Sequence, residues 1–204
     1  MDKRQDQAGL LVIISGPSGS GKGTVVKKLD AQRGYARSIS VTTRKPREGE
    51  VDGRDYFFTT PEEFTRMRQE NELLEHAMFV GNNYGTPRNY VEKQIAEGKM
   101  VVLEIEIQGA LQVREKFPDA VLIFLMPPTM EELSSRLNKR ATEDAVAIEA
   151  RLKRALEEVP LIGEYDYLVI NDEVDLAVAK IDAIVDAERL RPRRCTQQIE
   201  HFFE

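Results

Sequence analysis

The chain has 204 residues, of which 41% are apolar and 31% are charged, and this length and composition are typical of one globular domain with its own buried core. The net charge of −6 disfavours general nucleic-acid binding, and no apolar run approaches the roughly 20 residues that cross a membrane. The single cysteine, Cys195, excludes an internal disulfide framework, and the polar first residues contain no secretion signal, so we expect a cytoplasmic protein.

Apolar strands alternate with helical patterns along the chain. In chain order, the sequence predicts a strand at Leu10–Ser15, a helix at Lys22–Gln32, a helix near Pro61–Glu70, a strand at Met100–Ile107, a helix at Gly109–Lys116, a strand at Val121–Met126, helices at Thr129–Lys139 and about Asp144–Glu158, a strand at Tyr167–Ile170 and a helix at Val174–Leu190. Continuous apolar strands favour a parallel sheet that is covered on both faces, so the predicted fold class is α/β with a doubly wound parallel sheet.

Two stretches interrupt this alternation. Residues 38–90 contain turns and short alternating segments, which indicate an inserted substrate-binding lobe, and residues 134–150 are rich in charged side chains, which predicts a small lid. We therefore predict a single domain made of a core (1–37, 98–128 and 152–204), an inserted lobe (38–97) and a lid (129–151). Near the end of the chain, the basic run Arg189–Arg194 favours a solvated helix end.

A glycine-rich segment follows the first predicted strand and opens the first predicted helix. Its residues are Gly16, Pro17, Ser18, Gly19, Ser20, Gly21, Lys22, Gly23 and Thr24. Glycines let backbone N–H groups converge on a phosphate chain, the helix N-terminus adds partial positive charge, and Lys22 can reach the β- and γ-phosphates of ATP. We therefore predict a P-loop NTPase core in which this segment binds ATP and Lys22 is catalytic, with a plain glycine-rich turn as the alternative. The P-loop pattern has Ser or Thr directly after Lys, whereas here Gly23 precedes Thr24, so the metal ligand stays open.

The inserted lobe carries a longer pattern. Residues 42–58 read TTRKPREGEVDGRDYFF, followed by ELLEH at 72–76 and YGTP at 84–87. This order and spacing resemble the guanylate kinase family, and the match extends from Leu10 to about Arg191. The resemblance implies that the lobe at 38–97 binds GMP and that the γ-phosphoryl group of ATP passes to GMP, and to dGMP, with Mg²⁺ as cofactor.

Two arginines and two tyrosines of this lobe are candidates for holding the acceptor phosphate. Arg44 and Arg47 lie three residues apart in a polar segment, and guanidinium forks match the oxygens of a phosphate group. Tyr56 and Tyr84 can donate hydroxyl hydrogen bonds to the same group. The resemblance implies that all four bind the GMP phosphate and that Arg44 is catalytic, whereas the residues alone leave a solvated basic loop as the alternative.

Guanine presents N1–H and N2–H₂ donors beside the O6 acceptor, so a carboxylate together with hydroxyl groups can recognise it. Adenine lacks the N1–H and would leave a buried carboxylate unpaired. The resemblance implies that Glu75 is this carboxylate, that Ser40 and Thr86 supply the hydroxyl groups, and that Gly85 is a further GMP contact. Without the resemblance, Glu75 would be assigned to the surface.

Two further acids, Glu104 and Glu106, fall within the second predicted strand, where a spacing of two predicts that they share one face. Buried acids need partners. The resemblance implies that Glu104 lies near the metal and phosphates and Glu106 near the guanosine, and the alternative is one exposed and one paired acid. Thr24 and Glu104 are the candidate contacts to Mg²⁺, directly or through water.

Three arginines flank the charged stretch that we interpret as a lid. Phosphoryl transfer spreads negative charge over the phosphate oxygens, and positioned arginines stabilise it. The resemblance implies that Arg140 and Arg151 close onto the phosphates, that Arg136 assists, and that Asn171 contacts the adenine of ATP. The alternatives are helix-surface ion pairs, since Arg136 comes four residues after Glu132, and a plain strand-ending turn at Asn171.

Two other functions fit parts of the sequence. A guanylate-kinase-like interaction module resembles this fold but lacks an intact phosphate loop, and an absence of ATP binding would favour it. A different P-loop kinase, for AMP, a pyrimidine monophosphate or a small metabolite, is the other alternative: the residues GKGT at 21–24 resemble those of adenylate kinases, and predominant turnover of AMP would favour that function. The sequence leaves the oligomeric state open.

Overall fold

The computed structural model describes residues 9–79, 81–138 and 145–203. The strands in this part of the chain are β1 (Leu10–Ser15), β2 (Ala36–Arg37), β3 (Val41–Thr42), β4 (Phe57–Phe58), β5 (Leu73–Phe79), β6 (Asn82–Pro87), β7 (Met100–Glu104), β8 (Val121–Met126) and β9 (Tyr167–Ile170). The helices are α1 (Lys22–Arg33), α2 (Pro61–Gln69), α3 (Arg88–Ala96), α4 (Ile107–Lys116), α5 (Met130–Asn138), α6 (Ala145–Glu158), α7 (Val174–Arg189) and α8 (Thr196–His201), with 3₁₀ turns at Val159–Glu164 and Pro192–Arg194. None of these helices is long and apolar enough to span a lipid bilayer.

The larger sheet is parallel and has the strand order β2-β7-β1-β8-β9. Alternate residues of β1 face opposite layers: Leu10, Val12 and Ile14 pack with α1 and α7, whereas Leu11 and Ile13 pack with α3 and α4. Helices on both faces of a parallel sheet confirm the predicted α/β, doubly wound class. Since β7 and β8 lie on opposite sides of β1, the crevice outside the carboxyl end of β1 is the place where open α/β sheets bind their ligands.

The four predicted core strands agree with the structure except at the end of β7, and the fifth strand of this sheet, the two-residue β2, was not predicted. Strand β7 ends at Glu104 rather than Ile107. Helix α4 begins at Ile107, whose side chain is buried in the core, and the Ala110 N–H donates to the Glu106 carbonyl at 3.0 Å. Glu106 therefore precedes a helix, and the prediction that it shares a strand face with Glu104 is wrong.

The smaller sheet, in the order β4-β3-β6-β5, lies within the predicted inserted lobe. Strands β3 and β4 are parallel, and the other pairs are antiparallel. Val41, Phe64 and Leu73 form its buried cluster, which joins the sheet to α2. Strand β5 is the edge strand of this sheet and contacts α4 of the core, so the two parts of the fold meet beside Glu75.

The basic run after α7 folds back onto the protein, so its predicted solvation is wrong for Arg194. The buried carboxylate of Glu188 lies 2.8 Å from the Arg191 guanidinium and 3.4 Å from that of Arg194, and it accepts a hydrogen bond from the Tyr167 hydroxyl at 2.6 Å. Arg194 also donates to the Asp119 carbonyl at 2.8 Å. A buried acid thus binds the segment after α7 to the start of β9.

Replacing Glu188 by glutamine is expected to lower the free energy of unfolding by about 3 kcal/mol, because it removes the buried charge that pairs with Arg191 and with the partly buried Arg194. Chemical denaturation of the purified protein measures this change. Glu164→Gln, at an exposed acid, is the control and should stay within about 0.5 kcal/mol of the unsubstituted protein. Equal stability of the two variants would contradict a stabilising role for Glu188.

Candidate active site

The glycine-rich segment lies at the carboxyl end of β1 and leads into α1. Gly16 and Gly21 have φ angles of 144° and 91°, a region that favours glycine over any residue with a Cβ. A Cβ at Gly16 would lie 2.0 Å from the Leu125 carbonyl oxygen, so the loop also passes against β8 too closely for a side chain. The conformation of this loop therefore depends on its glycines, as the P-loop prediction requires.

Lys22 is the first residue of α1, and it is 9% exposed. Its ammonium group donates to the Gly16 carbonyl at 2.6 Å and to the Pro17 carbonyl at 3.2 Å. The positive charge is therefore held inside the curve of the loop, against the backbone of Gly16 and Pro17.

The far wall of the loop is built from α5 and the end of β9. The buried Asn171 amide donates to the Ser20 carbonyl at 2.8 Å, and Arg136 donates to the Asn171 carbonyl at 2.9 Å. Arg136 also forms the ion pair with Glu132 that the spacing predicted, at 2.7 Å. A Cβ at Gly21 would lie 2.4 Å from the Asn171 amide nitrogen, so this contact depends on a glycine.

Of the other two lid arginines, one is described. The Arg151 guanidinium, on α6, lies 3.4 Å from the Ser18 hydroxyl and so reaches the phosphate loop. Arg140 lies outside the described residues. The structure thus brings Arg136 and Arg151 to two sides of the loop.

In the inserted lobe, Arg44 is held on several sides. Its guanidinium donates to both carboxylate oxygens of Glu50, at 2.8 and 2.9 Å, and it lies 5.3 Å from the centre of the Tyr56 ring. The hydrogen bond to Glu50, followed by one involving Tyr84, raises the pKa of Arg44, and the same pairing lowers the pKa of Glu50. Arg44, Tyr56 and Tyr84 therefore form one cluster around a permanent positive charge.

Arg47 joins this cluster through its backbone. Its N–H donates to Glu50 at 2.7 Å, while its side chain is exposed. Glu50 had no assigned role in the sequence analysis, although it lies within the quoted motif. The sequence contained a usable indication of it, namely an acid six residues after Arg44 in a turn, where a carboxylate can close a loop onto a guanidinium.

A cleft of about 570 Å³ runs between the two sheets, a volume that suits a small ligand. Its walls come from both parts of the fold, and among the lining residues are Arg37, Ser40, Glu50, Tyr56, Thr86 and Glu104. The predicted acceptor residues Ser40, Tyr56 and Thr86 thus line the same cleft as Glu104, which ends a strand of the core.

Glu75 is a buried acid, which disfavours the alternative of a surface position. It is 5% exposed, and its carboxylate accepts a hydrogen bond from the Thr86 hydroxyl at 2.7 Å. Burial raises the pKa of Glu75 to about 7, while the Thr86 hydrogen bond and the charge of Lys116 act in the opposite direction. Gly85 lies on β6, next to Glu75: a Cβ on it would be 2.9 Å from the Glu75 carbonyl oxygen, so the glycine permits the close pairing of β5 and β6.

Glu104 and Glu106 face different partners. A Cβ at Gly23 would lie 3.2 Å from a Glu104 carboxylate oxygen, so the acid sits against the phosphate loop, and Arg37 lies 3.9 Å away. Glu106 is half-exposed and lies 3.9 Å from Arg154 on α6. The departure from the P-loop pattern at Gly23 therefore has a local reason, because a side chain there would crowd Glu104.

Metal-ligating side chains do not cluster in the described part of the chain: no group of three or more His, Cys, Asp or Glu residues could hold an ion. Glu104 is a single hard oxygen ligand beside the phosphate loop, and Thr24 follows one residue after Gly23. Mg²⁺ in phosphoryl-transfer sites is commonly held by substrate phosphates and water with one or two protein oxygens. This pair of residues fits that mode of binding.

A parallel sheet with a glycine-rich loop at the end of its central strand, and a lysine buried inside that loop, defines the class of P-loop nucleotide-binding proteins. The family model for guanylate kinase matches residues 8–188. The chain belongs to the guanylate kinase family.

Individual relatives support the same assignment. The guanylate kinase of Lactococcus lactis is 50% identical over 97% of this chain and 97% of its own length. The guanylate kinase of Bacillus subtilis is 51% identical over 97% of this chain and 98% of its own length. The crystal structure of guanylate kinase from Anaplasma phagocytophilum superimposes with a TM-score of 0.73 at 35% identity, covering 94% of this chain and 92% of that one. The resemblance noted in the inserted segment is thereby confirmed.

Proposed function

We propose that this protein is an ATP:GMP phosphotransferase, a nucleoside monophosphate kinase that converts ATP and GMP into ADP and GDP. The observation that carries the proposal is the cleft between the two sheets. It connects the lobe residues Ser40, Tyr56 and Thr86 with Glu104, which lies beside Gly23 of the phosphate loop. In this proposal a donor and an acceptor phosphate meet at the Glu104 end of the cleft, next to the phosphate loop.

A coupled assay of ADP release tests this function. ATP is supplied with GMP, dGMP, AMP, CMP or UMP in turn, and GMP is expected to give the highest kcat/KM, with dGMP also accepted. Predominant turnover of AMP would instead indicate another nucleoside monophosphate kinase. A protein that fails to bind ATP would be an interaction module of the same fold.

The acceptor phosphate is bound by Arg44, Arg47, Tyr56 and Tyr84 in this proposal. Support comes from Arg44, whose Nη2 nitrogen already donates to both carboxylate oxygens of Glu50. A phosphate offers the same pair of oxygens with more negative charge, so it can compete for the guanidinium. Glu50 then acts as the partner that keeps the guanidinium oriented when no acceptor is bound.

The donor phosphates bind the backbone of residues 16–24, with Lys22 beside the transferred group. The attacking oxygen of GMP is already ionised near neutral pH, so catalysis consists of alignment and neutralisation of charge without a general base. Arg136 and Arg151 supply part of that charge from α5 and α6, and Arg140 is proposed to do so as well. Asn171, at the end of β9, is the proposed contact to adenine.

Mg²⁺ is the proposed cofactor, and Glu104 and Thr24 are the residues that would hold it, directly or through water. When bound, the ion neutralises charge on the donor phosphates and orients them. The chain itself contributes the carboxylate beside Gly23 and the fixed position of Lys22.

In this proposal guanine is recognised by Glu75, Ser40 and Thr86, Gly85 is a further contact to GMP, and Glu106 is an acid near the guanosine. Only the ionised form of Glu75 accepts hydrogen bonds from both N1–H and N2–H₂. Because burial raises its pKa to about 7, the binding-competent fraction increases as the pH rises through this value.

The KM for GMP is therefore expected to fall as the pH rises from about 6 to about 8 and then to level off. Glu75→Gln removes this titration, while the titration of the GMP phosphate itself affects both proteins equally. Steady-state kinetics over this range, at saturating ATP, measures the difference. Parallel pH profiles for the two proteins would contradict a role for Glu75 ionisation.

The raised pKa of Glu75 also makes the stability of the folded protein depend on pH. Since the folded protein keeps the Glu75 proton to a higher pH than the unfolded chain, the free energy of unfolding falls as the pH rises from 4.5 to about 7. Denaturation curves of the unsubstituted protein and of Glu75→Gln should diverge across this interval in the absence of nucleotide.

A further inference from the structure

Helix α4 of the core holds the edge strand that carries Glu75. The Gln112 side chain accepts from the His76 N–H at 3.1 Å and donates to the His76 carbonyl at 3.0 Å, so one amide pairs with the strand as a neighbouring strand would. One turn further along, the Lys116 ammonium donates to the Leu73 carbonyl at 3.0 Å. These contacts secure the backbone of β5 on both sides of Glu75.

Gly109 lies on the same face of α4, three residues before Gln112. A Cβ built on Gly109 would lie 2.8 Å from the second carboxylate oxygen of Glu75, 3.3 Å from its Cδ and 3.4 Å from its Cγ. The other carboxylate oxygen accepts the hydrogen bond from Thr86. The carboxylate is thus enclosed between a hydroxyl group on β6 and a stretch of helix that has no side chain.

The contact at Gly109 differs from those of the phosphate-loop glycines. Gly109 has ordinary helical geometry, so alanine is compatible with its backbone and forms helices at least as well. The atoms that an added methyl group would meet first belong to the end of one flexible side chain. The least costly adjustment is therefore a displacement of the Glu75 carboxylate, with the fold retained.

We propose that Gly109 is a positioning residue that sets guanine specificity by leaving the space in which the Glu75 carboxylate aligns with the base. This inference rests on the proposed function, because Glu75 recognises a base only if GMP is the acceptor. Gly109 acts through Glu75 and need not touch the nucleotide. A displacement of about 1 Å is enough to misalign two hydrogen bonds made to one edge of a base.

The test is Gly109→Ala, with Gly163→Ala as the control, since a Cβ at the exposed Gly163 meets no atom within 4 Å. Gly109→Ala is expected to raise the KM for GMP about 10- to 100-fold, to reduce the preference for GMP over AMP, and to leave the KM for ATP unchanged. The midpoint of thermal unfolding should stay the same or rise. Gly163→Ala should match the unsubstituted protein in all four measurements.

A double-mutant cycle distinguishes positioning from a separate effect of the methyl group. In a Glu75→Gln background, Gly109→Ala should change the KM for GMP much less than it does alone. An equal change in both backgrounds, or a KM within about twofold of the unsubstituted protein for Gly109→Ala alone, would overturn the inference. If the unsubstituted protein itself fails to phosphorylate GMP, the proposed function fails instead.

Should Gly109→Ala not fold, the pair Gly109→Ala with Glu75→Asp provides the second test. Aspartate is one methylene shorter and withdraws the carboxylate from the added methyl group, so folding is expected to return, as measured by circular dichroism. Failure of this rescue would show that Gly109 serves something other than the Glu75 carboxylate.

Discussion

Lys22→Ala is expected to reduce kcat for GMP phosphorylation by about 10³-fold, the largest effect that we predict for a single substitution. The reason is the enclosed position of its ammonium group, which the Gly16 and Pro17 carbonyls hold within the curve of the phosphate loop. In the proposed function it neutralises charge that develops during transfer, and alanine supplies neither charge nor donor. Steady-state kinetics at saturating ATP and GMP, with circular dichroism to establish folding, gives the measurement.

Lys27→Ala is the control, because Lys27 is an exposed lysine on the same helix, five residues further along. It changes the net charge by the same amount, so an effect of overall electrostatics would appear in both variants. We expect near-normal kcat for Lys27→Ala. A Lys22→Ala enzyme that retained more than about a tenth of normal kcat would remove the basis for placing the transferred phosphate at this loop.

The second large effect is expected at Arg44. Arg44→Ala should lower kcat/KM for GMP by about 10²- to 10³-fold, with little change in the KM for ATP. Of the two arginines proposed to bind the acceptor, Arg44 is the one whose guanidinium donates to both carboxylate oxygens of Glu50 and lies against an aromatic ring. The exposed side chain of Arg47 lacks these contacts, so Arg47→Ala should cost less.

Two further variants make this prediction specific. Arg44→Lys keeps the charge but loses the fork, and we expect it to recover only a small part of the lost activity. Arg68→Ala removes an exposed arginine of α2 in the same lobe and should leave kinetics unchanged. Equal kinetics for Arg44→Ala and Arg68→Ala would exclude Arg44 from the acceptor site.

Several parts of the fold follow directly from local patterns. Strands β1 and β8 were predicted with their observed bounds, because each is a continuous apolar run that a glycine or a pair of prolines brings to an end. The phosphate loop is also local, since its glycines, its lysine and the start of α1 are consecutive in the chain. The motif at 42–58 is similarly contiguous, and it led to the family that the comparisons confirm.

Local patterns failed for residues whose environment is made by distant segments. Glu75 looks like a surface acid in its own stretch, and it is buried because β6 and α4 pack against it, the latter from Gly109. Glu106 was placed on a strand because its neighbours, Ile105 and Ile107, are apolar. These two isoleucines lie where β7 ends and α4 begins. Arg194 was assigned to solvent, and Glu188 and Asp119 hold it instead.

By itself, then, the sequence determined the class of fold, the phosphate loop and the family, because each depends on the order and spacing of neighbouring residues. Only the tertiary structure decided which acids are buried, which partner orients Arg44, and why a glycine stands at 109. Burial, ion pairing and steric clearance depend on contacts between segments far apart in the chain, such as the 34 positions that separate Glu75 from Gly109. Those contacts exist only after the two sheets and α4 have packed together.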